Sequence, residues 1–165
     1  MKYFRRFIYD LIVNGFASSY FCPNSIRALI YRSKGHKVKG GIMPGVFLGS
    51  GPKGKLTLGL NSYINYNCFL DLGDDIFIGD NCAIGFGTTF INSSHTLGNH
   101  SKRAGGGNTK PIIIGDGVWI GANVIIMPGV HIGNGCVIGA GSLVITDCEP
   151  DCIYIGVPAR KYKEI

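Results

Sequence analysis

Aliphatic side chains recur every six residues along most of this chain. Ile114, Ile120, Ile126, Ile132, Ile138 and Val144 keep the step without a slip, and Leu72, Ile78, Ile84 and Phe90 keep it upstream. A helix repeats its apolar positions at about 3.6 residues and a strand at about 2. A step of six is neither; it fits one short strand plus one turn. Three such units close a triangular coil of about 18 residues, and stacked coils bury one aliphatic column per face. The pattern therefore predicts an all-β fold, a parallel β-helix of hexapeptide repeats. Glycine follows most column positions, as at Gly79, Gly85, Gly115, Gly121, Gly133 and Gly139, which suits tight corners.

The repeat has edges and one break. Ile42 and Leu48 open it, and Leu58, Ile64 and Leu70 continue it. The phase then slips by two at Gly73-Asp74-Asp75, which predicts a widened corner. Gly-Ser and Gly-Pro pairs punctuate the irregular stretch 40–60. From Ser93 to Lys110 the chain reads SSHTLGNHSKRAGGGNTK, polar and glycine-rich, and cannot hold a column. It is expected to leave the coil, and long loops on a rigid scaffold commonly carry function. After Thr146 the repeat is expected to stop, leaving a short tail between Pro150 and Pro158 and beyond.

Residues 1–40 differ from the rest. Phe4, Phe7, Ile8, Leu11 and Ile12 share a helical face, Pro23-Asn24-Ser25 offers a second helix start, and Gly35 offers a stop. This segment holds eight basic residues against Asp10 alone, so the formal net charge of +6 resides here and the repeat is close to neutral. Two readings stand: a helical cap over the first coil, or an amphipathic basic segment resting on an anionic membrane. The expected units are 1–40 and a β-helix over 41–165 with the excursion 93–110. The opening apolar stretch is interrupted by Asp10 and Asn14 and lacks a cleavage pattern, which argues against a signal peptide. No apolar run reaches about 20 residues, so no helical membrane span is expected. The six cysteines form no CxxC pair, so they read as reduced thiols packed as small hydrophobes, which favours a cytoplasmic setting. Positive charge confined to one short segment argues against nucleic-acid binding.

The stretch IGDGVWIGANVIIMPGVHIGNGCVIGAGSLV followed by IGVPARKYK closely resembles the hexapeptide-repeat acyltransferases, in particular the galactoside, maltose and polysaccharide O-acetyltransferase group. The resemblance covers about residues 58–163. It implies a left-handed parallel β-helix, a homotrimer with active sites between subunits, acetyl-CoA as donor and no metal. By the same resemblance His95, three residues past the break at Asn92, is the general base. A sugar hydroxyl is a poor nucleophile at neutral pH, whereas a thioester is a reactive donor; one imidazole that removes the hydroxyl proton suffices. The resemblance further implies acceptor contacts from Asn65, Asp71 and Trp119. It implies donor contacts from Gly121, Ala122, Ala140, Gly141, Ser142, Thr146, Arg160 and Lys163, with Arg160 suited to phosphate by charge and shape. Ile145 stands where the family often has threonine.

The expected function is acetyl transfer to a hydroxyl of a sugar or polysaccharide precursor, in the cytoplasm or at the inner membrane surface. Alternatives are acetylation of an amino sugar or an antibiotic, a non-catalytic β-helix scaffold, and a zinc site like that of γ-class carbonic anhydrases using His95 and His100. Two histidines make a poor zinc site. A scaffold does not require an excursion bearing a histidine, and the outward residues Asp80, Asp116, Asn134 and Trp119 form no uniform ice-binding face. His131 precedes a column residue and should point outward.

Overall fold

The computed structural model describes residues 2–49 and 54–165. Parallel strands of two or three residues stack into three faces, with strand orders that run through successive coils. Pairing register fixes three inner columns. Val38, Leu58, Ile78, Ile114 and Ile132 stack on the first face. Ile42, Ile64, Ile84, Ile120, Ile138 and Tyr154 stack on the second. Leu48, Leu70, Phe90, Ile126 and Val144 stack on the third. Every one of these side chains is buried, and each is worth about 1.5–3 kcal/mol relative to exposure. A second inner layer sits two positions earlier, where Cys82, Thr88, Val118, Val124, Val130, Cys136 and Ser142 are also buried.

Coil length follows the sequence phase. Phe77 pairs with Thr57, 20 positions back, so the corner at 73–75 is widened by two; Ile113 pairs with His131 at the ideal 18. Phe77 also pairs with Ile113, 36 positions on, so one full turn's worth of chain leaves the coil and returns without disturbing the stack. The glycine reading changes in detail. Left-handed backbone falls three positions after most column residues, at Gly45, Asn61, Asn67, Asn81, Gly87, Gly117, Asn123, Gly129, Gly135 and Gly141, where Asn and Gly are tolerated. The glycines directly after the columns serve packing between coils: a Cβ on Gly121 would lie 2.6 Å from the Ala140 nitrogen. The Gly-Ser and Gly-Pro punctuation at 49–52 falls mostly outside the described residues.

The C-terminal end differs from expectation. The coil does not stop at Thr146: Cys152–Ile155 joins the second face, and Arg160–Glu164 folds back antiparallel on it. Tyr154 takes the column position above Ile138 after a 16-residue turn, so the six-residue phase is lost while the stacking persists.

Residues Lys2–Tyr9 form an α-helix that widens to π-helical turns over Asp10–Ala17, and Asn24–Ser33 form a second α-helix. The face buried on the coil is Tyr9, Val13 and Ala17; Phe4, Phe7 and Leu11 are exposed. Asn14 donates to the Leu48 carbonyl and accepts from the Leu48 N–H, both at 2.9 Å, doing for the edge strand what a further strand would. Arg27 is buried, and all five of its N–H groups are used, on the carbonyls of Ala17, Ser19, Cys22 and Ile42 and the amide oxygen of Asn24. It ties both helices and the first coil together.

His36 is buried beside this junction. Its Nδ1 accepts from the Leu56 N–H at 3.1 Å, so Nε2 carries the proton and lies 3.3 Å from the Tyr9 hydroxyl. Burial, and secondarily the charge of Lys55, lowers its pKa from 6.5 to about 4. Between those values the unfolded chain binds more protons than the folded one, so stability falls as pH drops from 6.5 toward 4. The full effect is about 3 kcal/mol. In urea unfolding between pH 7 and 4.5 the wild type should lose more stability than His36→Gln; equal losses would contradict this assignment.

Candidate active site

The excursion is a built structure rather than an irregular loop. Ser93–Leu97 and Ala104–Thr109 pair antiparallel as a hairpin with a bulge between His95 and Leu97. Its base is fastened to the widened corner. Asn92 is fully buried; its side chain accepts from the Gly73 N–H at 2.9 Å and donates to the Asp74 carbonyl. The Ser93 hydroxyl donates to the Asp71 carboxylate, and the Thr109 hydroxyl donates to Asp74 at 3.0 Å. The widened corner, with Asp71 just before it, thus supplies the carbonyl and carboxylates that hold the hairpin.

His95 is exposed on this hairpin, with Nδ1 3.1 Å from the Gly105 carbonyl oxygen. A carbonyl only accepts, so Nδ1 carries the proton and Nε2 of the neutral ring is left as a proton acceptor. Ser93 and His95 alternate onto the same side of their strand, which puts the imidazole on the side of Asp71. His100 is exposed near the hairpin tip, and His131 is exposed on the first face. Among the described residues the one group of three potential metal ligands is Glu149, Cys152 and Glu164. Its carboxylates are engaged by the Lys161 ammonium at 2.8 and 2.7 Å.

A groove of about 380 Å³ runs along the second face and its corner with the third. Asn65, Phe86 and Trp119 stand along it, and Gly121, Ala122 and Ala140 form part of its lining. Trp119 is 60% exposed and Phe86 54%. The glycines demanded by coil packing leave the corner shallow enough for an extended ligand to lie against backbone. Asn65 bonds through Oδ1 to the Tyr66 N–H at 2.9 Å, and its amide nitrogen remains for a ligand acceptor.

Other expected donor residues lie outside this lining. Gly141 follows Ala140 at the exposed corner, and Thr146 is exposed beyond the third face. Ser142 is buried, its hydroxyl donating to the Gly139 carbonyl and accepting from the Gly156 N–H. Arg160 pairs with Ile155, whose side chain packs over the groove residue Gly139, so the Arg160 backbone lies one strand from the groove's last coil; its guanidinium donates to the Ala159 carbonyl at 2.9 Å. Lys163 is exposed further along that strand, opposite Ile153. Ser93, Asn92 and Phe86 were not singled out from the sequence. An aromatic corner residue in IGFGT was the available signal for Phe86; nothing local marks the other two.

The expected site residues fall in two places. The hairpin leaves the third face after Thr89–Phe90 and enters the first face at Ile112–Ile114, whereas the groove follows the corner between second and third faces. Within one chain the whole third face separates His95 and Asp71 from Trp119, Gly121, Ala122 and Ala140. No thiol offers a nucleophile in their place. All six cysteines are buried, and burial pushes Cys68 up to about 11 and Cys148 up to about 12.

Residues 111–146 match the bacterial transferase hexapeptide family, described as six repeats. A hexapeptide-repeat-containing acetyltransferase from Vibrio cholerae is 34% identical and superposes with a TM-score of 0.80, over 89% of this chain and 84% of that one. A galactoside acetyltransferase in complex with coenzyme A superposes at 0.82 with 31% identity, over 98% of this chain and 80% of that one. The galactoside O-acetyltransferase of Escherichia coli K12 is 41% identical over 112 residues, which are 67% of this chain and 54% of that protein. The aligned part thus spans about half the length of the curated relatives it matches. The chain belongs to the hexapeptide-repeat acetyltransferases.

Removing the hairpin anchor should be measurable. Asn92→Ala leaves the part-buried Gly73 N–H and the Asp74 carbonyl without their Asn92 partner, a cost of about 1–3 kcal/mol. Hydrogen exchange should accelerate at the hairpin amides while the inner columns stay protected; unchanged exchange at 93–109 would show that the hairpin is held by something else.

Proposed function

We propose that this protein transfers an acetyl group from acetyl-CoA to a hydroxyl of a sugar or polysaccharide precursor, with His95 as general base, at a site closed by two copies of the chain. The observation that carries this reading is the His95–Gly105 hydrogen bond, which leaves Nε2 basic and fixes the ring. The relatives support the donor, since solved neighbours hold coenzyme A or acetyl coenzyme A. Named galactoside O-acetyltransferases support a saccharide acceptor.

The chemistry follows from the two half-sites. The pantetheine arm lies along the corner lined by Gly121, Ala122 and Ala140, past Gly141, with Arg160 and Lys163 toward the phosphates. The acceptor is held by Asp71 on the hairpin side and by Asn65 and Trp119 on the groove side. As the hydroxyl oxygen attacks the thioester carbon, Nε2 takes its proton. The tetrahedral oxyanion is stabilised by fixed N–H donors. Collapse breaks the carbon–sulfur bond, and the imidazolium returns the proton to the departing sulfur. The Gly105 carbonyl keeps Nδ1–H oriented throughout. No acyl-enzyme forms.

Because the half-sites occupy different corners, closure of copies about an axis is what unites them. A ring of three identical chains does this with one interface repeated, and such a homotrimer would carry three sites.

Two measurements test the reading. His95→Ala should lower kcat about a hundred- to ten-thousand-fold in a coenzyme A release assay over a saccharide panel. Acetyl-CoA should still raise its melting midpoint, as for any ligand that prefers the folded state. Turnover near wild type would remove His95 from the chemistry, and no midpoint shift even for wild type would favour a scaffold. In addition, inactive His95→Ala and an inactive groove variant, Ala122→Trp, should complement after co-refolding. Random assembly leaves about a quarter of the interfaces with both halves intact. Recovery of nothing above the two parents would mean that each site lies within one chain.

A further inference from the structure

The first helix is apolar on two opposite sides. Tyr9 and Val13 are buried on the coil, and on a helical wheel Tyr3, Phe4, Phe7 and Leu11 centre on the opposite direction. These four are 91%, 68%, 60% and 56% exposed. Beyond the helix Phe21 is also exposed, and on the second helix so is Leu29. Four exposed apolar side chains on one helix face differ from the singly scattered apolar surface of an ordinary protein.

Its electrostatic setting selects the occupant. Arg5, Arg32, Lys37 and Lys39 are exposed in the same segment. Asp10, its sole acidic residue, is already bonded to Arg6 at 2.6 Å and to Asn14 at 2.9 Å. Arg27 is buried in its carbonyl cage and adds nothing to the surface. A second copy of the same face would bring like charges together with no free carboxylate to pair them. Anionic headgroups supply the missing charge, and exposed aromatic rings on a segment that also carries guanidinium and ammonium groups suit the boundary between headgroups and acyl chains. No helix among the described residues is long and apolar enough to cross a membrane, so contact would lie in the interfacial plane.

We propose that the helices of residues 2–33 dock this protein on an anionic phospholipid bilayer through the Tyr3, Phe4, Phe7 and Leu11 face, leaving the β-helix and its groove in the aqueous phase. The docking stands apart from the acetyl-transfer reading, since none of these residues belongs to either half-site.

The test is sedimentation of the full chain with vesicles of phosphatidylcholine alone and of phosphatidylcholine containing about a third phosphatidylglycerol. The protein should pellet with the anionic vesicles, remain in solution with the neutral ones, and be released as salt is raised. Phe4→Ser/Phe7→Ser/Leu11→Ser should weaken anionic binding about tenfold or more while leaving the melting midpoint and oligomer mass unchanged. Arg5→Gln/Arg32→Gln/Lys37→Gln/Lys39→Gln keeps the apolar face intact and should also weaken binding, so the result does not hang on one variant's folding. Wild-type protein staying in solution with anionic vesicles overturns the proposal, as does binding that both variants retain. Loss of oligomer mass in the serine variant assigns the face to contact between copies and overturns it equally.

Discussion

Everything in this molecule depends on one contact repeated along three lines: an aliphatic side chain resting on its equivalent in the next coil. Short strands of two or three residues have little stability of their own. They persist because each inner residue is buried by the one before and the one after, and because glycine or asparagine turns each corner into register. The constraint is translational. Any segment that leaves the stack must return at the same phase, and any residue that faces outward is positioned almost as rigidly as the core.

That rigidity explains how a small polar hairpin can present chemistry. Thirty-six positions separate Phe77 from its partner Ile113, so a full turn's length of chain has been diverted without cost to the columns. The diverted segment has no core of its own. It is held by Asn92, Ser93 and Thr109 against a corner that is itself two residues wider than the ideal. The same stacking makes the groove, since glycines required for coil contact leave no side chains to fill it. Base and groove then fall on different corners of a prism. On the proposed reading, corners that cannot bend toward each other leave association of copies as the way to bring the two together.

The architecture was legible because its signal is a period, and a period survives in sequence without reference to any distant residue. The widened corner at 73–75 and the excursion were readable for the same reason, as a slip and a gap. What was not legible depends on partners far along the chain. SHTLGNHSKRAGGGN carries no strand alternation, yet pairs as a hairpin because its base is fixed. Arg27 reads as one more surface charge until five acceptors, from the end of the first helix, the turn after it, its own helix and the first coil, converge on it. Phe4, Phe7 and Leu11 share a helical face that the sequence leaves open between the coil and a membrane, whereas Tyr9, Val13 and Ala17 are the residues buried on the coil. The column at Tyr154 was hidden because its turn is two residues short. For the site, His95, Asp71, Trp119 and the small corner residues came from family resemblance joined to residue type. Their separation onto two corners is a property of the coil's geometry that no local motif encodes.

On the proposed reading, one chain holds two halves of a site and a neighbouring copy joins them. The direct measurement is a crystal structure of the assembled protein with coenzyme A bound. The account predicts the coenzyme sulfur in the Gly121–Ala140 groove of one copy, within about 4 Å of the place an acceptor hydroxyl would take beside His95 Nε2 from another copy. A coenzyme bound wholly within one chain, or a sulfur remote from every His95 in the assembly, contradicts it.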